Sequence, residues 1–357
     1  MTGIKGGVRI STMKIKGKFL TTGIGSLPHI DAVKGVEDIL GGFDIPFWPQ
    51  LPKRGFKENM YVQFAHGLPS LVIDEKNRKI HIDTTRDLSE ALGRLFEAYI
   101  SEDYDALGIA KDFAEGFYAF LDMAKGSKAD CIKGHVTGPV SFGLGVVDEK
   151  GKAIIYNDTL KEALVKLLEI KAAWQIDRLK GVSKNIIIFI DEPYLASFGS
   201  SFVSIQRQDV LLMLNALIDK IHSKGALSGI HCCGNTDWSL LAETGVDIIN
   251  FDAYSYAEGL SLYPNEITGF LKRGGALAWG IVPTSESALK ETGEGLFDRL
   301  SSEINKLQKK NIPRDLLIAH SLLTPSCGMG TLSRDLAESI IKKLSVVARL
   351  AKVKFAQ

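Results

Sequence analysis

Eight short β-rich runs alternate with longer helical patterns along the 357 residues, and the polar residues best suited to chemistry fall at the ends of those runs. Alternation of this kind implies a parallel sheet, and eight such units predict an α/β fold, a single closed (β/α)8 TIM barrel. Chains of this length commonly form one barrel. No linker, internal repeat or low-complexity tract divides this one. The expected organisation is an N-terminal extension over residues 1–18, then a barrel over residues 19–357.

The first two strands are read at Phe19–Gly23 (FLTTG) and Ile45–Trp48 (IPFW). Leu71–Ile82 (LVIDEKNRKIHI) reads as a β-hairpin around Lys76-Asn77, an excursion between the second and third strands. Later strands are expected at Cys131–Val136, Asn185–Ile190, Ala226–Cys232, Val246–Phe251, Ala276–Ile281 and Leu316–His320. Between them, Leu160, Leu164, Leu167, Leu168 and Ala172 recur at helical spacing over Thr159–Leu179. Asn157 or Asp158 can cap that helix, and Gly181 follows its end. A last helix is expected over Arg334–Val353, capped by Ser333.

Composition narrows the function classes. An apolar content of 45% with 24% charged residues suits a soluble globular protein with a large core. A formal net charge of +1 argues against a nucleic-acid partner, whose phosphates demand a basic surface. No apolar run approaches the ~18 residues of a membrane span, so no membrane partner is expected. The basic first residues lack the apolar core of a signal peptide. Four cysteines are too few for a secreted disulfide framework, which makes the reducing cytoplasm the expected compartment.

Barrel enzymes work at the C-terminal ends of their strands. Here those ends carry Gly25-Ser26, Pro49-Gln50, Thr137-Gly138-Pro139, Asp191-Glu192-Pro193, His231-Cys232-Cys233, Asp252 and Val282-Pro283, with Cys327 after the eighth. Side chains alternate along a strand, so His231 and Cys233 point one way and Cys232 the other. An imidazole and a thiolate converging at a strand end suit Zn²⁺. Asp252 can add a carboxylate and Cys327, in TPSCG, another thiol. Free cysteine is often simply buried, which fits Cys131 and Cys232 in apolar strands but not Cys327 among Pro, Ser and Gly. A site of two thiolates, one imidazole and a replaceable carboxylate leaves room for a substrate, and a coordinating thiol is deprotonated.

With these residues in place, the chain resembles the C-terminal catalytic barrel of cobalamin-independent methionine synthase, in the uroporphyrinogen-decarboxylase-like superfamily. The likeness runs from Thr21 to the C-terminus through TTGIGSLP (Thr21–Pro28), VTGPVS (Val136–Ser141), IDEP (Ile190–Pro193), His231-x-Cys233 and TPSCG (Thr324–Gly328). It implies zinc on His231, Cys233 and Cys327, with Asp252 where the family has glutamate. It also implies that homocysteine is the substrate. Ile24, Gly25 and Ser26 would hold its carboxylate and Asp191 its ammonium, with Gln50 in place of a second acidic residue.

Two departures concern the methyl donor. The family's histidine after strand seven has no counterpart in AWGIVPTSES (Ala278–Ser287), and glycine replaces the tryptophan that follows TGPV. The long N-terminal half of the folate-using enzymes is not represented either. A departing folate amine needs a proton, whereas a methyl–cobalt bond releases Co(I) without one. The expected donor is therefore methylcobalamin carried by a corrinoid partner protein. Transfer to another thiol such as coenzyme M, or a noncatalytic corrinoid- or porphyrin-binding module with structural zinc, are the alternatives. His135 and His320 read as satisfied histidines of core or rim, and Trp238 and Trp279 as packing residues.

Overall fold

The computed structural model describes residues 18–200 and 203–355, so the expected N-terminal extension, apart from Lys18, lies outside the described residues. Its strands are β1 (Leu20–Thr21), β2 (Leu71–Asp74), β3 (Lys79–Ile82), β4 (Ile132–Thr137) and β5 (Val147–Asp148), then β6 (Ile186–Asp191), β7 (Leu227–Cys232), β8 (Ile248–Phe251), β9 (Ala276–Val282) and β10 (Ser321–Pro325). Seven of them form one parallel sheet in the order β1-β10-β9-β8-β7-β6-β4. The other three make a small separate sheet. In it β2 and β3 pair antiparallel as the expected hairpin, and β5 joins β3 in parallel.

Two expected strands differ. The segment 45–50 is no regular strand, because Pro46 and Pro49 withhold backbone donors and interrupt any ladder. Hydrogen bonds nevertheless tie it on both sides. Ile45 donates to the Thr21 carbonyl at 2.9 Å, Gln50 donates to Gly25 at 3.0 Å, and Lys133 donates to Pro46 at 2.8 Å. Leu316–His320, expected as the eighth strand, is instead the helix Arg314–Ala319 with His320 as its C-cap, and the strand is Ser321–Pro325. A short apolar run cannot by itself separate a buried helix turn from a strand. Pro313 before it and Asp315 in the first turn favour the helix. Sliding the strand forward brings its end close to Cys327.

The long helices begin where their caps predict. The Asn157 side chain accepts from Leu160 N–H at the start of Asp158–Leu179, and the Ser333 hydroxyl accepts from Leu336 N–H at the start of Arg334–Lys354. Among the described residues, no helix is long and apolar enough to cross a membrane.

Alternation divides the seven-stranded sheet cleanly. One face, with Ile132, Ile188, Ile190, Ile230, Cys232, Ile249, Phe251, Leu277 and Trp279, packs against the helices in the main core. The other face begins as an apolar floor of Cys131, Ile187, Leu227, Ile248 and Leu322, closed by Ile45 and Phe189. Each fully buried large side chain contributes roughly 1.5–3 kcal/mol. Above that floor the same face turns polar, and every potentially reactive side chain described next stands there.

Candidate functional site

The inward face of β7 ends in His231 and Cys233, two residues apart on one side of the strand, as alternation requires. Cys327 follows β10 by two residues. One ligand atom from each of His231, Cys233 and Cys327 lies within 4.8 Å of the others. Tetrahedral zinc with its usual bond lengths of about 2.3 Å to sulfur and 2.0–2.1 Å to nitrogen would hold such atoms roughly 3.5–3.8 Å apart. The three are therefore in place for a metal with little further contraction.

Asn250, on the neighbouring β8, decides the imidazole. Its amide nitrogen donates to the Ala278 carbonyl and to Thr324 Oγ1, each at 2.8 Å, so its oxygen faces His231 Nδ1 at 2.5 Å. Nδ1 must then carry the proton, which leaves Nε2 a bare lone pair. Nε2 is buried and has no hydrogen-bond partner among the described residues. A buried acceptor with a fixed lone pair beside two thiols is the donor chemistry that a divalent metal completes.

The two thiols respond to each other in the same sense. The hydrogen bond from Cys327 is the main cause that holds the Cys233 thiol down at about 4, and the neighbouring His231 ring adds to it. Cys327 keeps its proton, pushed up first by that same hydrogen bond and then by burial. Cys232 behaves differently on the outer face. Burial raises its thiol to about 12, and it donates to the Gly234 carbonyl at 3.5 Å, as a packing residue.

Burial is the main cause that pushes the Asp252 carboxyl above its ordinary pKa, and Cys233 stands close enough to add to it. Its Oδ1, however, accepts from Ser255 N–H at 2.9 Å as the N-cap of the helix Ala253–Tyr256. It does not belong to the three-residue cluster.

Ser26 holds the Cys327 loop. Met329 N–H donates to its carbonyl at 3.0 Å and Gly330 N–H to its hydroxyl oxygen at 3.1 Å. A side chain at Gly328 would meet that oxygen at 2.3 Å, so only glycine lets the loop come so near. Ser326 anchors the other flank, donating from its N–H to Val282 at 2.8 Å and accepting from Thr284 N–H at 3.1 Å. The serine hydroxyl accepts from Gly330 and still has its own hydrogen to donate.

The remaining expected contacts are near neighbours of this loop. Ile24 offers its carbonyl to the Lys133 ammonium at 2.6 Å. Gln50 donates to Gln63 Oε1 at 2.8 Å and lies buried behind Ser26, with which it forms a bridge. Asp191 ends β6 opposite His231, and its Oδ1 is buried without a partner. Burial pushes the Asp191 carboxyl up to about 6 against the pull of His231 and Lys133. Glu192, the next residue, is wholly engaged. It accepts from Val140 N–H at 2.9 Å, Ser141 N–H at 2.7 Å and the Ser141 hydroxyl at 2.6 Å.

Three contributors were not read from the sequence: Asn250, Lys133 and the loop-holding role of Ser26. The first two had a signal, since each is a polar residue at an inward position of an otherwise apolar strand. A cavity of about 590 Å³ lies to one side, against β3 and β5 of the small sheet, lined by Tyr61, Arg78, His81 and Gly145. It is not centred on the thiols. Tyr61 links the two, since Cys233 and Glu192 both contribute to raising its phenol, after burial.

No protein-family model matches this chain, and no curated protein matches it. Among solved structures, a methyltransferase from Methanosarcina mazei is similar over 95% of this chain and 95% of its own, at 14% identity and a TM-score of 0.54. That likeness shows the fold. A B12-independent methionine synthase from Shewanella sp. W3-18-1, solved in complex with selenomethionine, is similar over 66% of this chain and 67% of its own, at 18% identity and a TM-score of 0.46.

Proposed function

We propose that the chain is a zinc-dependent S-methyltransferase that makes methionine from homocysteine. In this reading the methyl group comes from methylcobalamin on a corrinoid partner protein. The observation that carries the reading is the unpartnered Nε2 of His231, fixed by Asn250 beside the Cys233 and Cys327 thiols. The segment 45–50, bonded to both edges of the sheet, is read as the second strand of a closed barrel.

His231, Cys233 and Cys327 would hold the zinc, and Asp252, engaged as a helix cap, leaves the fourth position to substrate. When bound, zinc supplies a Lewis acid that keeps a substrate thiol ionised at neutral pH. The protein's own residues do the rest. Asp191 takes the substrate ammonium, while Ser26 and the backbone of Ile24 and Gly25 face its carboxylate. Orientation of this kind turns the encounter with the donor into a nearly unimolecular step. The thiol proton leaves to solvent, and the sulfur then attacks the methyl carbon in line. A methylcobalamin donor, when bound, would supply a methyl group whose departure leaves its electron pair on cobalt and asks no proton of the protein.

Two features favour a corrinoid over a folate. Residues 278–287 hold no histidine to protonate a departing amine. A side chain at Gly145, the position of the family's tryptophan, would meet the Tyr61 ring at 2.7 Å, so the pterin platform has no room.

Zinc analysis of the wild type and of Cys233→Ser and Cys327→Ser tests the metal. One zinc per chain, lost in both variants, is expected, and unchanged zinc in both would sink the reading. Purified protein given homocysteine with methylcobalamin or with methyltetrahydrofolate tests the donor. Efficient turnover on methyltetrahydrofolate alone overturns the corrinoid assignment. X-ray absorption at the zinc edge separates catalysis from a structural metal, because only the former gains a sulfur neighbour when homocysteine is added.

A further inference from the structure

His135 lies on the inward face of β4 and is 1% exposed, yet neither ring nitrogen has a hydrogen-bond partner among the described residues. It was expected to be a satisfied histidine; it is the reverse. Its ring stacks on Trp48, with centroids 3.9 Å apart and planes at 23°, and Phe64 stands edge-on at 6.3 Å. Gly25 closes the other side, where a Cβ would come within 2.9 Å of His135 Nδ1 and Cε1. The imidazole is thus pressed against the segment 24–26, and its unmet polar atoms sit beside it.

Packing alone does not explain this residue. Each buried polar group left without a partner costs about 1–3 kcal/mol, and phenylalanine or leucine would fill the same aromatic box at no such cost. The charge around it is also defined. Burial, and then the Lys133 ammonium, hold the His135 pKa well below its ordinary value, so the ring is neutral, with one N–H donor and one acceptor. Lys133 itself is buried two residues earlier on the same face, between the Phe47 and Phe189 rings. Burial pulls its ammonium down to about 7, and in its charged form it favours an anion at this end of the inner face. Asp191, on the adjacent strand, favours a cation at the other.

We propose that His135 is a specificity-determining residue that donates its ring N–H to the carboxylate of the amino-acid thiol. The inference rests on the homocysteine reading above and deepens it. The thiol belongs near Cys233 and Cys327 and the ammonium near Asp191, which leaves the carboxylate as the group that can meet a neutral donor beside Gly25. Selection would fall on thiols bearing an α-carboxylate.

Calorimetric titration of the zinc-loaded protein with L-homocysteine and with 3-aminopropane-1-thiol, the same molecule without its carboxylate, tests this. In the wild type, loss of the carboxylate is expected to weaken binding about 10- to 100-fold, the worth of a hydrogen bond to a charged group. His135→Phe keeps the stacking, should weaken homocysteine by a similar factor, and should leave 3-aminopropane-1-thiol within twofold. His135→Leu makes the same comparison if His135→Phe does not fold, and His135→Gln should recover part of the homocysteine affinity. Unchanged homocysteine binding in the folded variant, or an equal loss for both thiols, overturns the proposal. If neither thiol binds the zinc-loaded wild type, the homocysteine reading itself fails and this inference falls with it.

Discussion

Asp191 and Glu192 are consecutive acidic residues at the end of β6, and they sit in opposite worlds. Glu192 is fully buried and takes hydrogen bonds from Val140, from the Ser141 backbone and from the Ser141 hydroxyl. Asp191 turns inward with one oxygen buried and unpartnered, in company with both nitrogens of His135 and Nε2 of His231. The outer face of the sheet satisfies its polar groups and holds the fold together. The inner face satisfies Asn250 and Lys133 but leaves Asp191 Oδ1, both His135 nitrogens and His231 Nε2 unmet among the described residues. Unsatisfied buried groups are rare and costly, so their gathering on three strand ends marks the binding face more firmly than the presence of acidic or imidazole side chains does.

That contrast can be broken by substitution. The largest effect on stability is expected from Glu192→Ala, which strands three buried donors and should cost about 3–5 kcal/mol of unfolding free energy by denaturant titration. Asp191→Ala should do the opposite, leaving stability within about 1 kcal/mol while weakening homocysteine binding by roughly 10-fold or more in calorimetry. A large stability loss in Asp191→Ala would show that the inner face is structural after all. Asn250→Leu removes the group that fixes His231 and should lower zinc affinity about 10- to 100-fold in competition with a chelator.

A pH dependence sharpens the same contrast. Burial raises the Glu192 carboxyl to about 7, so the folded state holds a proton that the unfolded chain releases nearer 4.5. The folded state therefore binds more protons between those values, and stability from this group is full below pH 4.5 and lost as pH rises through 7. The difference between wild type and Glu192→Gln should follow that window, with an amplitude of about 1–3 kcal/mol. The smallest effect belongs to Cys232→Ala. Its zinc content should equal the wild type's, and stability should fall by about 1 kcal/mol for the lost packing.

Much of this was legible in the sequence because it follows from periodicity. The separation of Cys232 from His231 and Cys233 is a matter of alternation, and the caps at Asn157 and Ser333 are local chemistry. Asn250 could be seen only as a polar residue at an inward position of VDIINF, since its partners Ala278 and Thr324 come from other strands. The register of the last strand was misread because LLIA and LLTP are two short, mostly apolar runs without a period to tell the helix turn from the strand. The role of Ser26 was beyond reach, as it depends on a loop 304 residues away.

That distance has a kinetic consequence. The first strand in the chain pairs with the last, and the Ser26–Gly330 contact pins the loop of Cys327, the one member of the cluster remote in sequence from β7. Contacts so far apart in sequence form late, because the entropy of closing the intervening chain must be met first. The third candidate ligand, Cys327, therefore joins His231 and Cys233 only when the first and last strands of the chain come together. With zinc bound as proposed, the rate at which a chelator removes it should follow the opening of this seam.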